Sequence, residues 1–485
     1  MANQALRVLF VSSECTPWCK TGGLADVSAA LPAALRAGGA DVRVLLPAYG
    51  SMTQHATGDY VEIAARNRFP SARVLSATLP NGVPALLIDC PELYARGGGP
   101  YGDDKGIDWP DNALRFAQLS RVAAELSTAS SGLPWQPQVV HCNDWQTGLV
   151  PAYLHYTAQP HAASVYTVHN ISFQGLFPAT VTEEIGLPPE SFSVDGVEFY
   201  GQCSLLKCGL AYADWLTTVS ATYALEIQHE EYGMGMQGIA SKRRNVLSGI
   251  LNGIDTETWN PALDPYLARS YDAHTLEFKI KNKRALQARL ALPQTDVPLL
   301  SMVSRLTDQK GIDLVLEIAE RIAALPAQLV ILGSGMPQYE AQLTQLAQRH
   351  HGRISATIGF DESLAHLIEA GADVFLMPSR YEPCGMNQMY SQRYGTLPIV
   401  RATGGLADSV EDYDAASMSG GGFVFQEATA AALLVAIERA LAVYKTPARW
   451  RTLQRNAMAR DFSWDASALQ YLQIYRQLCK AQAPG

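Results

Sequence analysis

Short β-branched runs alternate with helical stretches along almost the whole chain, and this alternation leaves few folds open. In the first half, Arg7–Val11, Val42–Leu46, Ala85–Ile88, Val139–His141, Ser164–Val168 and Leu216–Val219 read as buried strands. Turn residues follow each, usually with a helical pattern after them, such as Gly23–Ala37 or Asp111–Leu126. Repeated βαβ units make a parallel sheet. The pattern restarts after about residue 295, with strands at Leu299–Val303, Leu329–Leu332, Ala356–Ile358, Val374–Met377 and Pro398–Val400. Helices at Gly311–Leu325, Gln338–His350, Ser363–Ala370 and Asn387–Tyr394 lie between them. The expectation is an α/β chain of two Rossmann-like, doubly wound parallel-sheet domains facing a ligand cleft at the carboxyl ends of the strands. The Asn-, Asp-, Thr- and Pro-rich stretch from Asn252 to Pro265 marks the junction. Residues 1–251 form the first domain, 252–460 the second, and 461–485 a final helix that either domain can receive, with a return to the first expected.

Charge narrows the partners. Only 17% of the 485 residues are charged, against roughly 25% in an average domain. The net charge of −9 provides no positive field for a nucleic-acid backbone or an anionic membrane. A 48% apolar fraction is too high for disorder. No apolar run reaches the roughly 18 residues of a membrane span, and the start leads straight into a strand rather than a leader. The eight cysteines form no C-x-x-C pattern, so reduced thiols in a cytoplasmic protein are expected, with neither metal nor cofactor.

Four stretches carry chemistry, each at a strand end. Lys20-Thr21-Gly22-Gly23-Leu24-Ala25-Asp26-Val27 follows the first strand and opens a helix, where backbone N–H groups and the helix dipole favour an anion. It is neither a Walker loop nor G-x-G-x-x-G, and a plain glycine turn is the alternative. Ser304-Arg305-Leu306-Thr307-Asp308-Gln309-Lys310-Gly311 occupies the matching place in the second domain. Its two cations suit a diphosphate clamp, or are solvated surface charges. In Arg380-Tyr381-Glu382-Pro383-Cys384-Gly385, Glu382 is either a carboxylate aimed at a ligand hydroxyl or one that complements a helix dipole. Thr403-Gly404-Gly405 supplies a further glycine turn after a strand. Thr167-Val168-His169-Asn170 and His141-Cys142-Asn143-Asp144 end strands of the first domain, and His169 reads equally as structural or as part of a site. Asp412 and Asp414 read as solvated acids, and Lys242-Arg243-Arg244 as a solvated basic face. Together these suggest one diphosphate-type site with cations from both domains, which a nucleotide sugar fits.

With these motifs in hand, the chain resembles the bacterial glycogen synthase and plant starch synthase family, glycosyltransferase family 5 with the GT-B fold. K-T-G-G-L-A-D-V, S-R-L-T-x-Q-K-G and E-P-C-G in this order carry the resemblance, with Asn252-Gly253-Ile254-Asp255 and Thr167–Asn170 between them. It runs from S-S-E near the N-terminus to F-S-W at Phe462–Trp464. The resemblance implies transfer of glucose from ADP-glucose to the 4-hydroxyl of an α-1,4-glucan such as glycogen, with retention. By similarity, Lys20, Gly22, Gly23 and Asp26 lie near the distal phosphate and sugar, and Arg305 and Lys310 hold the diphosphate. Glu382 contacts the glucose and His169 sits beside its anomeric carbon. Asp144, Tyr101 and Asn170 line the sugar or acceptor side. Asn252 faces the cleft, and Phe360 stacks on adenine. Cys384 and Gly385 present amides to the sugar, and Thr403 and Gly404 belong to the same binding set. Where the wider fold family has a second glutamate, this chain has Tyr390; H-C-N-D-W stands where many relatives have H-A-H-D-W; and Phe360 replaces a frequent tyrosine.

These residues include no evident covalent nucleophile for the sugar's far face, so departure and attack on the same face are expected, with charge stabilisation by Lys20, Arg305 and Lys310. The alternatives are another retaining GT-B enzyme of the sucrose- or trehalose-phosphate-synthase kind, a sugar-binding protein without chemistry, and a pyridoxal-dependent phosphorylase. The second would need export, and the third a much longer chain with a cofactor lysine.

Overall fold

The computed structural model describes residues 5–131 and 133–482. They form two compact units: residues 1–253 with 464–485, and 254–463.

The first unit is built on a nine-stranded sheet. Its strands are β1 (Arg7–Val11), β2 (Asp41–Pro47), β3 (Ala56–Ile63), β4 (Ala72–Thr78), β5 (Pro84–Asp89), β6 (Val139–Asn143), β7 (Ala163–Val168), β11 (Trp215–Thr218) and β12 (Leu247–Gly249). A small antiparallel sheet of β8 (Leu176–Pro178), β9 (Glu198–Phe199) and β10 (Gln202–Ser204) interrupts this series. The large sheet runs β12-β11-β7-β6-β1-β2-β5-β4-β3. From β12 to β5 all pairings are parallel, and near-continuous apolar runs such as Val8–Val11 and Val139–Val140 are buried on both faces. The parallel expectation fails at one edge, where β3 and β4 pair antiparallel with each other and with β5. β3 reads Ala-Thr-Gly-Asp-Tyr-Val-Glu-Ile and is mostly exposed, so it lacks the apolar run that marks a central strand. The chain's last helix, Trp464–Gln482, lies against helix Gly23–Ala37, and Trp464, Tyr471 and Tyr475 join the core with Phe10, Leu31 and Val139.

The second unit holds six parallel strands: β13 (Leu299–Val303), β14 (Gln328–Gly333), β15 (Ile354–Ile358), β16 (Val374–Met377), β17 (Leu397–Arg401) and β18 (Phe423–Phe425), in the order β15-β14-β13-β16-β17-β18. Helices Lys279–Arg289, Ala430–Tyr444 and Pro447–Met458 and strand β18 add to the elements expected from sequence. The single helix expected over Gly311–Leu325 is two, Ile312–Glu317 and Ala319–Ala324. Gly311 itself is left-handed at φ +69, and a Cβ there would lie 2.1 Å from the Pro378 carbonyl, so both backbone and space call for glycine.

Strand order reverses beside the first strand of each sheet, at β1/β6 and at β13/β16. These are the points where open α/β sheets receive ligands beyond the strands' carboxyl ends. No described helix is long and apolar enough to cross a membrane.

Candidate active site

In the second unit, the loops after β13 and β16 meet. Lys310 Nζ donates to Glu382 Oε2 at 2.6 Å, and Ser379 Oγ donates to the same oxygen at 3.0 Å. The Glu382 side chain is only 7% exposed, so Lys310 offsets much of the cost of burying its charge. Arg380 is fully engaged elsewhere, in a bidentate pair with Asp313 at 2.7 Å per bond. Arg305 is exposed and makes one long contact, 3.4 Å to Gln309 Oε1.

The loop carrying Glu382 rests on the glycine turn after β17. A Cβ on Gly404 would stand 2.0 Å from the Glu382 carbonyl, and one on Gly405 would stand 2.0 Å from that of Cys384. The Gly405 amide donates to the Glu382 carbonyl at 3.0 Å. Thr403 is fully buried and heads helix Gly404–Ser409, so Thr403 and Gly404 act first as the seat of the Glu382 loop. Gly385 is left-handed at φ +69, against the Gln388 side chain. Phe360 stands apart, past the end of edge strand β15, with 88% of its surface open. Tyr390, at the position of the second glutamate of the wider fold family, stacks on Trp259 at 3.9 Å, and His366 stacks on Trp259's ring at the same distance. Its ring is thus committed to packing.

In the first unit, the loop after β1 is organised by a residue the sequence reading passed over. Glu14 is buried, and its Oε2 accepts from the amides of Thr21 at 2.6 Å and Gly22 at 3.2 Å. Its Oε1 accepts from Thr21 Oγ1 at 2.7 Å and from the Tyr101 hydroxyl at 2.5 Å. The anion-binding turn read from Gly22-Gly23 therefore needs correcting. A carboxylate of the chain itself already takes the Thr21 and Gly22 amides. The sequence signal was present: Ser12-Ser13-Glu14 places an acid at the carboxyl end of the central strand. Lys20 pairs with Asp26 at 2.8 Å and keeps 54% of its side chain exposed. Tyr101 is tied to this loop a second time, with its hydroxyl 2.8 Å from Ser13 Oγ.

At the ends of β6 and β7, Asp144 Oδ1 accepts the His169 amide at 2.7 Å. Asp144 adopts a left-handed φ of +56, a conformation that concentrates at functional sites. Burial pushes its carboxyl up to about 7, against the opposing pull of the His169 and Asn170 amides. Burial also lowers the His169 imidazole to about 4, so it is neutral. Asn143 Nδ2 donates to the Val11 carbonyl at 3.0 Å, which leaves Asn143 Oδ1 to accept from His169 Nε2 at 3.0 Å. His169 is thus fixed as the Nε2–H tautomer with Nδ1 as a free acceptor, and Asn143 is a second residue that the sequence reading missed. Asn170 spends its side-chain oxygen on the Ser172 amide and hydroxyl. Asn252 is buried near the end of β12, and its Oδ1 has no hydrogen-bond partner among the described residues. The expected solvated face at Lys242–Arg244 is corrected at Arg243, whose guanidinium donates to the carbonyls of Leu210, Ala211 and Ala213. Among the described residues, no three His, Cys, Asp or Glu side chains are grouped to hold a metal ion.

The raised carboxyl gives a pH prediction. Folded Asp144 keeps a proton up to about pH 7 that the unfolded chain has lost by about pH 4, so its contribution to stability falls as pH rises through that window. In Asp144→Asn this slope is gone. The stability difference between wild type and variant, from urea unfolding at pH 4, 5, 6 and 7, should change by about 4 kcal/mol. A pH-independent difference contradicts the assignment.

Comparison with known proteins decides the family. The starch synthase catalytic domain family matches residues 7–242, and glycosyl transferases group 1 matches residues 284–457. A glycogen synthase of Aromatoleum aromaticum is 56% identical over 99% of this chain and 98% of its own. The chain belongs to the starch and glycogen synthase family. A glycogen synthase of Nitrosospira multiformis is 53% identical over 98% of this chain and 97% of its own. The catalytic domain of starch synthase IV from Arabidopsis thaliana, solved with ADP and acarbose, superposes with a TM-score of 0.85 at 34% identity, covering 98% of this chain and all of that one. The fold is therefore GT-B, and the protein is a glycosyltransferase. A sucrose-phosphate synthase of Thermosynechococcus elongatus shares that fold at a TM-score of 0.59 and 21% identity.

Proposed function

We propose that the protein transfers glucose from ADP-glucose to the non-reducing 4-hydroxyl of an α-1,4-glucan, with retention. The observation that carries this reading is the Lys310–Glu382 pair at the β13/β16 switch point, with Arg305 exposed beside it in sequence. Arg305 and Lys310 would hold the diphosphate, and Glu382, released from part of its bond to Lys310, would take a glucose hydroxyl. Phe360 follows the end of β15, which lies two strands away from β13. At roughly 4.8 Å per strand this separation is about 10 Å, the reach from a diphosphate across ribose to an adenine ring. The donor base is further supported by the ADP bound to starch synthase IV. In the first unit, the Gly23 and Leu24 amides and Lys20 would meet the distal phosphate and sugar, with Asp26, Tyr101, Asp144, Asn170 and Asn252 on the sugar or acceptor side.

Retention follows from same-face departure and attack. As the C1–O bond to the diphosphate breaks, the cations take up the charge, and a phosphate oxygen accepts the proton of the incoming 4-hydroxyl. His169 is neutral and held by Asn143, so it serves the anomeric region as a fixed hydrogen-bonding wall rather than as an acid. None of the eight cysteines is joined in a disulfide, which suits work in the cytoplasm. ADP-, UDP- and GDP-glucose offered with glycogen test the reading. Nucleotide release with ADP-glucose should exceed the others at least about tenfold, since the base contact adds roughly 1.4 kcal/mol or more. Preference for UDP- or GDP-glucose would favour the sucrose- or trehalose-phosphate-synthase kind instead.

A further inference from the structure

The loops after β13 and β16 bring Lys310 to Glu382, and Arg380, two residues before Glu382, binds these loops together. Its backbone amide donates to the Gln309 carbonyl at 2.8 Å. Its guanidinium reaches both sides of Lys310 in sequence. Nη1 donates to the Asp308 carbonyl at 2.8 Å, and Nη1 and Nη2 pair with the two oxygens of Asp313 at 2.7 Å each. Further bonds reinforce the junction. Gln309 Nε2 donates to the Tyr381 carbonyl at 3.3 Å, and the Tyr339 hydroxyl donates to the Asp308 carboxylate. From the end of β17, Arg401 donates to the Arg380 carbonyl and, at 3.0 Å, to that of Gln426.

Folding stability does not account for this ion pair. The Arg380 and Asp313 side chains keep 37% and 34% of their surfaces exposed, and exposed pairs add little to stability. The fork supplies geometry instead, since two parallel bonds fix an orientation that a single bond leaves free to pivot. Asp313 lies in the first turn of helix Ile312–Glu317, and the bond from Arg380 holds its carboxyl below the usual carboxylate range, so it is ionised at neutral pH. Lys310 has no such constraint of its own. Its ammonium is a compact charge on a flexible stem. Its place 2.6 Å from Glu382 therefore depends on how the two loops stand against each other. The Glu382 loop has a separate seat on the Gly404–Gly405 turn, so loss of Arg380 would free chiefly the segment that carries Lys310. A misplacement of about 1 Å at a reacting centre can cost about 10²-fold in rate.

We propose that Arg380 is a positioning residue of the transfer reaction: paired with Asp313, it locks the 308–313 segment to the 378–382 loop and so holds Lys310 where it meets Glu382 and the diphosphate. The proposal rests on the Lys310 clamp proposed above, and Arg380 itself touches no substrate. The test is a double-variant cycle of wild type, Arg380→Ala, Lys310→Ala and the combination. Each is assayed with glycogen and whichever nucleotide-glucose the wild type uses best. Arg380→Ala should lower kcat about 10- to 10²-fold, with the donor KM changed less than about threefold and the melting temperature near wild type. In the Lys310→Ala background the same substitution should cost about threefold or less, because the group it positions is gone. Arg380→Lys, which retains the charge without the fork, should fall between wild type and Arg380→Ala. Asp313→Asn leaves Arg380 in place and should repeat the non-additivity. Losses that multiply in full would overturn the proposal, since Arg380 would then act independently of Lys310. Wild-type kcat in Arg380→Ala would overturn it as well. The ratios do not depend on the donor's base, so a preference for UDP- or GDP-glucose leaves this test intact. Turnover near wild type in Lys310→Ala would instead remove the clamp and this proposal together.

Discussion

Lys310→Ala is expected to lower kcat by about 10²–10³-fold, the loss typical of removing one preorganised charge from a transition state. In the proposed mechanism Lys310 meets the diphosphate as its charge develops, so the effect should fall on kcat more than on the KM for ADP-glucose. The structure adds a second consequence. Lys310 is also the partner of a Glu382 side chain only 7% exposed, so alanine leaves that carboxylate with Ser379 as its one hydrogen-bond donor among the described residues. Some thermal destabilisation should therefore accompany the kinetic loss. The double variant Lys310→Ala/Glu382→Gln removes the stranded charge; it should recover stability while staying inactive. Turnover near wild type in Lys310→Ala would remove the basis of the clamp.

Glu14→Ala is expected to be nearly as damaging, although Glu14 is not proposed to touch substrate. Its carboxylate gathers four donors: two amides and a hydroxyl of the Lys20 loop, and the Tyr101 hydroxyl. Each donor left unsatisfied in a buried place costs about 1–3 kcal/mol. Here the loop can relieve that cost by moving into water, which displaces Lys20, Gly22 and Gly23. A shift of this kind lowers kcat/KM by about 10²-fold. Glu14→Gln retains one acceptor oxygen and should lose less. Steady-state kinetics and a thermal melt check both variants. Glu14→Ala with wild-type kcat/KM would show that the loop's position does not matter to the reaction.

Much of this architecture was legible in the sequence because parallel strands buried on both faces are written as unbroken apolar runs. Arg7–Val11 and Leu299–Val303 are such strands, and their bounds match the sequence reading. Strands β3 and β4 escaped because antiparallel strands at a sheet's margin need only one apolar face, and β3 breaks even that alternation with register shifts. For the site, the sequence exposed residues that look reactive at strand ends. It concealed residues that position them, since Asn143 and Ser379 are recognisable only by what they hold, and Glu14 offered no more than an acid after the central strand. Nor could it distinguish a glycine that admits a ligand from one that admits the chain's own backbone, the situation at Gly404 and Gly405 beneath the Glu382 loop.

The last helix carries one more consequence. Tyr475 closes the first unit's core with its hydroxyl 2.7 Å from Nδ1 of buried His141, and Tyr471 packs beside the same ring. During synthesis, the second unit is one continuous stretch of chain, and it has been translated in full before residue 464 is added. The first unit must wait with part of its interior open to water until the final helix emerges. The usual N-terminal-first order of maturation is thereby inverted, and the opening half of the polypeptide is the last to finish.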